Sequence, residues 1–129
     1  KKASRESKAQ FQAAIDAYTQ AIELGAPEQD EVLGSRAECY ASIGQMQKAL
    51  EDATAAVELN DESDSWLILQ GQIYYAMGKS KEAKNSFLEA RDINKEIQPQ
   101  DDGVLRQKQT IDAMLEMIAD HPWEPPAFD

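Results

Sequence analysis

Catalysis at neutral pH needs a nucleophile, a base or a metal set held in one place, and this 129-residue chain is poor in those residue types. It has one histidine, His121, and one cysteine, Cys39, more than eighty positions apart. No glycine-rich phosphate loop, no Cys-x-x-Cys pair and no His-x-x-Glu pattern is present. Asp101 and Asp102 are adjacent acids at the expected start of a helix, where carboxylates act as caps rather than as an acid–base pair. Met77, Met114 and Met117 stand at helical spacing and are expected to fill a core rather than bind a soft metal. His121 is expected to be a solvated end-of-helix residue. The chemistry points away from an enzyme, and it implies no cofactor and no metal.

Charge narrows the partners. Thirteen Lys and Arg against 24 Asp and Glu leave a net charge of −11, so nucleic acid and anionic membrane are not expected partners, because phosphate binding requires a surplus of cations. Lys1, Lys2, Arg5 and Lys8 make the start basic, whereas Glu28 to Asp64 sets ten acids against Arg36 and Lys48. A single cysteine allows no internal disulfide, and Cys39, beside Tyr40, is expected to be a buried, inert thiol. The apolar runs are too short to span a membrane and no signal peptide is visible, which suggests a reducing, cytoplasmic setting.

Helical periodicity is the organising pattern, and no strand-like alternation occurs. Phe11, Ile15, Tyr18 and Ile22 predict a helix over 3–24, stopped by Gly25-Ala26-Pro27. Asp30 is the expected N-cap of a helix over about 31–43, with Leu33, Ala37 and Tyr40 on one face. Gly44 turns the chain into an alanine-rich helix over about 46–59. After the polar break at 60–63, Asp64 or Ser63 caps a helix over about 65–77, and Gly78 turns it into another ending near Asn94. Pro99 and Gly103 interrupt. Val104, Ile111, Met114, Leu115 and Ile118 then mark a final helix ending near Asp120, followed by the proline-rich HPWEPPAFD. The class is all-α, with six or seven helices.

Three of these helices repeat one motif. Ala14, Tyr18 and Ala21 recur as Ala49, Ala53 and Ala56, and again as Ala83, Phe87 and Ala90, with offsets of 35 and then 34 residues. A fixed period of this length marks stacked supersecondary units. Together with Leu67, Gln70, Gly71 and Tyr74, and with Leu33, Arg36, Ala37 and Tyr40, the pattern resembles the tetratricopeptide repeat. That family alternates a W-x2-L-G-x2-Y half with an A-x3-F half. The resemblance covers about 1–97. It implies a right-handed superhelix of antiparallel helix pairs: a partial first repeat (about 1–29), a second (about 30–63), a third (about 64–97), a capping helix (about 102–120) and an acidic aromatic tail (121–129). The proline that usually ends each unit is absent, with Asp61 and Lys95 in its place and Pro27 one residue late. The first unit's opening helix is degenerate, since Ala3 to Lys8 holds no large apolar residue.

What the resemblance implies about function is a concave groove lined by the first helix of each pair. Counting from Asp30, its positions are Glu31, Gly34, Ser35, Glu38, Ala41 and Ser42. Counting from Asp64, they are Ser65, Ile68, Leu69, Gln72, Tyr75 and Ala76, with Arg106 and Gln109 on the cap as a far wall. Many three-repeat members are chaperone adaptors that grip the C-terminal carboxylate of Hsp70 or Hsp90 with a lysine–asparagine–arginine clamp. Here the clamp positions hold Ala3, Ser35, Ser65 and Leu69, so the ligand of that clamp is not implied. The expected activity is that of a non-catalytic adaptor whose groove takes a peptide or helix with apolar anchors, for Ile68, Leu69 and Tyr75, and a basic residue, for Glu31 and Glu38. A co-chaperone with a divergent clamp, or an assembly domain of a larger protein that self-associates through its incomplete first repeat, are the alternatives.

Arg36 packs its stem between helices and pairs with a nearby acid. Lys79, Lys81 and Lys84 form a solvated ridge. The WEPPAF tail serves either as a short linear motif or folds back on the domain, since Trp123 is unfavourable in water.

Overall fold

The computed structural model describes residues 5–96 and 102–120. Every regular element among them is helical: α1 (Arg5–Glu23), α2 (Gln29–Ser42), α3 (Met46–Leu59), α4 (Asp64–Ala76), α5 (Ser80–Glu96) and α6 (Asp102–Asp120). Ala3, Pro99 and the tail with His121 and Trp123 lie outside the described residues. The helices fall into two compact units that divide after Asp61. In the first, α1 packs on α2 and α2 on α3; in the second, α4 packs on α5 and α5 on α6.

The turns inside the helix pairs share one chemistry. Gly44 and Gly78 adopt left-handed conformations with φ of 83° at both. Only glycine does so without a steric penalty. The following N–H reaches back over the helix end, Gln45 N to Tyr40 O at 2.9 Å and Lys79 N to Tyr74 O at 2.8 Å. This 6→1 bond satisfies a carbonyl that the helix leaves unpaired. Ala26 N donates to Ala21 O at 2.9 Å in the same way, so α1 ends where the sequence places its stop.

The helix starts differ from expectation. Asp30 is not the cap of α2: the helix begins at Gln29, and Glu28 occupies the cap position at φ 59° with no side-chain capping bond. Asp30 stands in the first turn, where its carboxylate accepts from Nδ2 of Asn60, the C-cap of α3, at 3.1 Å. Ser63 sits at the cap position of α4, again without a side-chain capping bond, and Asp64 opens the helix. The carboxylates at these starts are drawn across the helix hairpin, Asp30 to Asn60 and Asp64 to Asn94.

The cores follow the small–large–small motif. Ile15, Ala37, Ala49, Leu50, Ala53 and Ala56 are buried in the first unit, and Leu67, Ile73, Ala83, Phe87, Ala90, Ile111 and Ile118 in the second. Burying Phe87 completely stabilises its unit by roughly 2–3 kcal/mol. The hydrophobic term is available because Gly71 stands opposite: a Cβ there would lie 2.7 Å from Cε1 and Cζ of Phe87. Cys39 is half-buried rather than buried, and removal from water and the Glu38 charge raise its thiol pKa above the ordinary value, which keeps it protonated. No helix of the described residues is long and apolar enough to cross a membrane.

Candidate functional site

Each unit carries its own candidate surface, on α2 in the first and on α4 in the second, and in each a polar clasp ties that helix to the second helix of its pair. In the first unit, Arg36 reaches from α2 to α3. Its Nε donates to Asp52 Oδ2 at 2.7 Å and its Nη2 to Oδ1 at 2.8 Å, while Nη1 donates to Thr19 Oγ1 of α1 at 3.1 Å. Asp52 holds the guanidinium pKa above its ordinary value, outweighing the opposing effect of burial. The guanidinium also lies 5.7 Å from the centre of the Tyr40 ring. Arg36 is thus a strut between three helices, as expected from its sequence setting, and not an anion ligand.

On the outer side of α2, Glu31, Glu38 and Ser42 are exposed, Ser35 and Ala41 are half-buried and Gly34 is buried. Ser42 Oγ donates to the Glu38 carbonyl at 2.8 Å, so its hydrogen is committed to its own helix. The Glu31 carboxyl has a pKa above its ordinary value, chiefly because Glu28 places a second negative charge next to it. This face offers concentrated negative charge to a partner.

The α4 face is different in kind. Leu69 and Tyr75 are half-buried, and Gln72 and Ala76 are exposed. Ile68, counted above among the apolar anchors, is a correction: only 8% of it is exposed and it belongs to the core of the second unit. Periodicity places it on the apolar side of α4 but cannot tell whether that side meets a ligand or a neighbouring helix.

Ser65 is engaged by α6. Gln107 bridges it to Asp64: with the amide turned to satisfy both ends, its carbonyl accepts from Ser65 Oγ at 2.8 Å and its NH2 donates to Asp64 Oδ1 at 2.6 Å. Asp64 is itself buried and accepts from Asn94 Nδ2 of α5 at 2.9 Å. Arg106 and Gln109 are both exposed on α6, and their neighbour Gln107 bonds to α4.

The clasps escape motif reading but leave a signal. Asp30 and Asn60 recur 34 residues later as Asp64 and Asn94, and both pairs are bonded across the helix hairpin. Arg36 and Asp52 recur at the same offset as Gln70 and Ser86, where Ser86 Oγ donates to Gln70 Oε1 at 3.0 Å. Pairing polar residues by repeat register, not only apolar ones, exposes these contacts.

Comparison with known proteins bears on the helix-pair repeat itself. The sequence profile of the tetratricopeptide repeat matches residues 30–63 and 67–97. A heat-shock cognate co-chaperone, sgt12 of Aspergillus fumigatus, is 34% identical over 121 residues, which cover 93% of this chain and 34% of that protein. The chain spans 13% of another curated relative that it matches, so it corresponds to only a part of such proteins. The crystal structure of the Sgt2 tetratricopeptide domain from A. fumigatus aligns with 28% identity and a TM-score of 0.63, covering 99% of this chain and 90% of that one. The first such domain of Spaghetti, bound to an Hsp90 peptide, shares the fold at 22% identity and a TM-score of 0.62, covering 84% of this chain and 82% of that one. Two helix pairs with the family's spacing, glycine turns and small–large packing, matched over half the chain by its profile, mean that this protein belongs to the tetratricopeptide repeat family.

Proposed function

We propose that this chain is a non-catalytic protein-interaction module, an adaptor or scaffold that takes up a peptide or helix on the first helices of its repeats. The observation that carries the reading is the α4 face, where Leu69 and Tyr75 keep part of their apolar surface accessible beside the exposed amide of Gln72. Partly exposed large side chains on a packed scaffold are the usual anchors of recognition. The exposed Glu31 and Glu38 favour a partner with a basic residue. A terminal carboxylate is disfavoured at Ser65, because the adjacent Asp64 carboxylate repels it and Gln107 already engages the hydroxyl.

Binding of fluorescently labelled partner peptides, first recovered by pull-down, tests this reading. Leu69→Glu and Tyr75→Ala are each expected to weaken binding about tenfold or more, which is ~1.4 kcal/mol. Glu31→Lys with Glu38→Lys is expected to slow association with basic partners. If every partner stays bound with unchanged affinity in the α4 variants, the assignment of that face is wrong.

The resemblance to a co-chaperone over nearly the whole chain favours a second reading, a chaperone-tail adaptor with an altered clamp. Titration with an acidic C-terminal tail peptide separates the two. Micromolar binding that is lost in Leu69→Glu supports the chaperone tail, and absence of binding supports the first reading.

A further inference from the structure

Away from the α2 and α4 faces, a hollow of about 220 Å³ opens in the second unit between the end of α5 and the start of α6. Val104, Leu105 and Lys108 of α6 line it with Arg91, Asn94 and Lys95 of α5, together with Asp112. Three cations against one acid invert the balance of a chain that carries 13 Lys and Arg against 24 Asp and Glu. The hollow also holds apolar surface. Among the described residues of the second unit, Leu105 is the one large apolar side chain left exposed, at 44%, and Val104 beside it is half-buried.

Not every polar group here is open to a ligand. The Asn94 amide is committed to Asp64 Oδ2 and to the Val104 carbonyl. Arg91 is half-buried with its Nε shut off from solvent, so the accessible positive charge is that of Lys95 and Lys108. Lys95 reaches only Asp92, at 3.9 Å, with both side chains largely exposed, and such a pair yields easily to a better partner. Lys108 is exposed and forms no ion pair among the described residues.

We propose that this hollow is a second docking site, one that takes an acidic peptide segment with a single leucine- or phenylalanine-sized anchor. The anchor enters between Val104 and Leu105, and flanking carboxylates accept from the ammonium groups of Lys95 and Lys108. The volume fits one such side chain, since a cavity of about 150 Å³ already holds benzene. An anchor in a pocket with charged groups at its rim is the usual division between affinity and selectivity.

Charge also sets the direction of the segment. A neighbouring hollow, lined by Leu115, Glu116 and Ala119 with Arg91 and Asp112, carries two acids and one cation. The acidic residues of the ligand therefore lie toward Lys95 and Lys108, and the part that runs past Asp112 is neutral or basic. The net charge of −11 repels an acidic peptide at long range. Recognition accordingly rests on contacts within the Debye length, about 10 Å at 0.1 M salt, where the hollow and the two ammonium groups lie together. The inference stands apart from the α4 reading, because no lining residue belongs to α2 or α4.

NMR titration of the full chain with the blocked tetrapeptide acetyl-Glu-Asp-Leu-Glu-amide tests the proposal. Saturable shifts are expected at the amides of Lys95, Val104, Leu105 and Lys108 at millimolar peptide. The Lys95→Glu/Lys108→Glu double variant should bind about tenfold more weakly with its helical circular dichroism unchanged, because both side chains are exposed. Lys95→Gln/Lys108→Gln should lose less, and a peptide with serine in place of leucine should bind the unaltered chain about tenfold more weakly. Absence of saturable shifts overturns the proposal, as does equal binding by the double charge variant or by the serine peptide. Shifts confined to Leu69, Gln72 and Tyr75 overturn it too and place the acidic segment on α4. Shifts of the α5–α6 residues that grow with protein concentration alone would assign the hollow to a second copy instead.

Discussion

Arg36 and Asp52 hold α2 to α3 with an ion pair, whereas 34 residues further on Gln70 and Ser86 hold α4 to α5 with a neutral hydrogen bond. One position along, the inverse contrast appears in the apolar layer. Ala37 and Ala53 stand in the first hairpin at the positions of Gly71 and Phe87 in the second, where the ring lies against the glycine. Each repeat therefore fills the same two slots, one polar and one apolar, with a different division of chemistry and volume. The second repeat relies on a charged fork, with side chains only 18% and 9% exposed, beside small residues. The third relies on a large ring packed on a glycine. Repeat architecture requires that the slots be filled, and it leaves open with what.

The largest effect is expected where volume does the holding. Phe87→Ala should destabilise the protein by about 3–5 kcal/mol in chemical denaturation, since it leaves a cavity against Gly71. The corresponding Ala53→Gly should cost only about 1 kcal/mol. Gly71→Ala should cost about 1–3 kcal/mol alone by overpacking, and much less in the Phe87→Ala background, because the added methyl then enters the hole. Additive costs in that cycle would show that the two residues do not share one slot.

Charge ranks next. Asp52→Ala strands a largely buried guanidinium and should cost about 3 kcal/mol, against about 1 kcal/mol for Ser86→Ala. Installing the third repeat's pair in the second, Arg36→Gln with Asp52→Ser, should recover most of that loss. A double variant as unstable as Asp52→Ala would mean that Thr19 and Tyr40 need the guanidinium itself.

The smallest contrast concerns the clasps at the helix ends. The Asp64–Asn94 pair is buried and the Asp30–Asn60 bond is exposed. Asn94→Ala should cost about 1–2 kcal/mol and Asn60→Ala a few tenths, read from the same denaturation curves.

Much of this was legible in the chain. The 34-residue period, the glycine turns and the apolar stripes locate all six helices to within a few residues, because helix formation and termination depend on local spacing and local backbone freedom. The candidate site was only partly legible. Position counting brings out Leu69, Gln72 and Tyr75 on the accessible side of α4, but it places Ile68 there as well, although that side chain is in the core. Two adjacent stripe positions differ in accessibility according to what the neighbouring helix covers. Position counting selects Arg106 and Gln109 rather than Gln107, because nothing in a helical stripe says which of four successive polar residues, 106–109, reaches Asp64.

By itself, then, the sequence determined that the chain would form helix pairs of one family and that their small residues would permit close packing. Those properties follow from period, composition and residue type, which are local or additive. The tertiary structure alone decided that Asp30 and Asp64 clasp across the hairpin, that Asp52 and Thr19 are the partners of Arg36 and that Arg91 keeps a buried donor without an acceptor among the described residues. Each of these depends on which polar atom of a second helix comes within about 3 Å, a distance that packing sets and the spacing of residues along one chain does not.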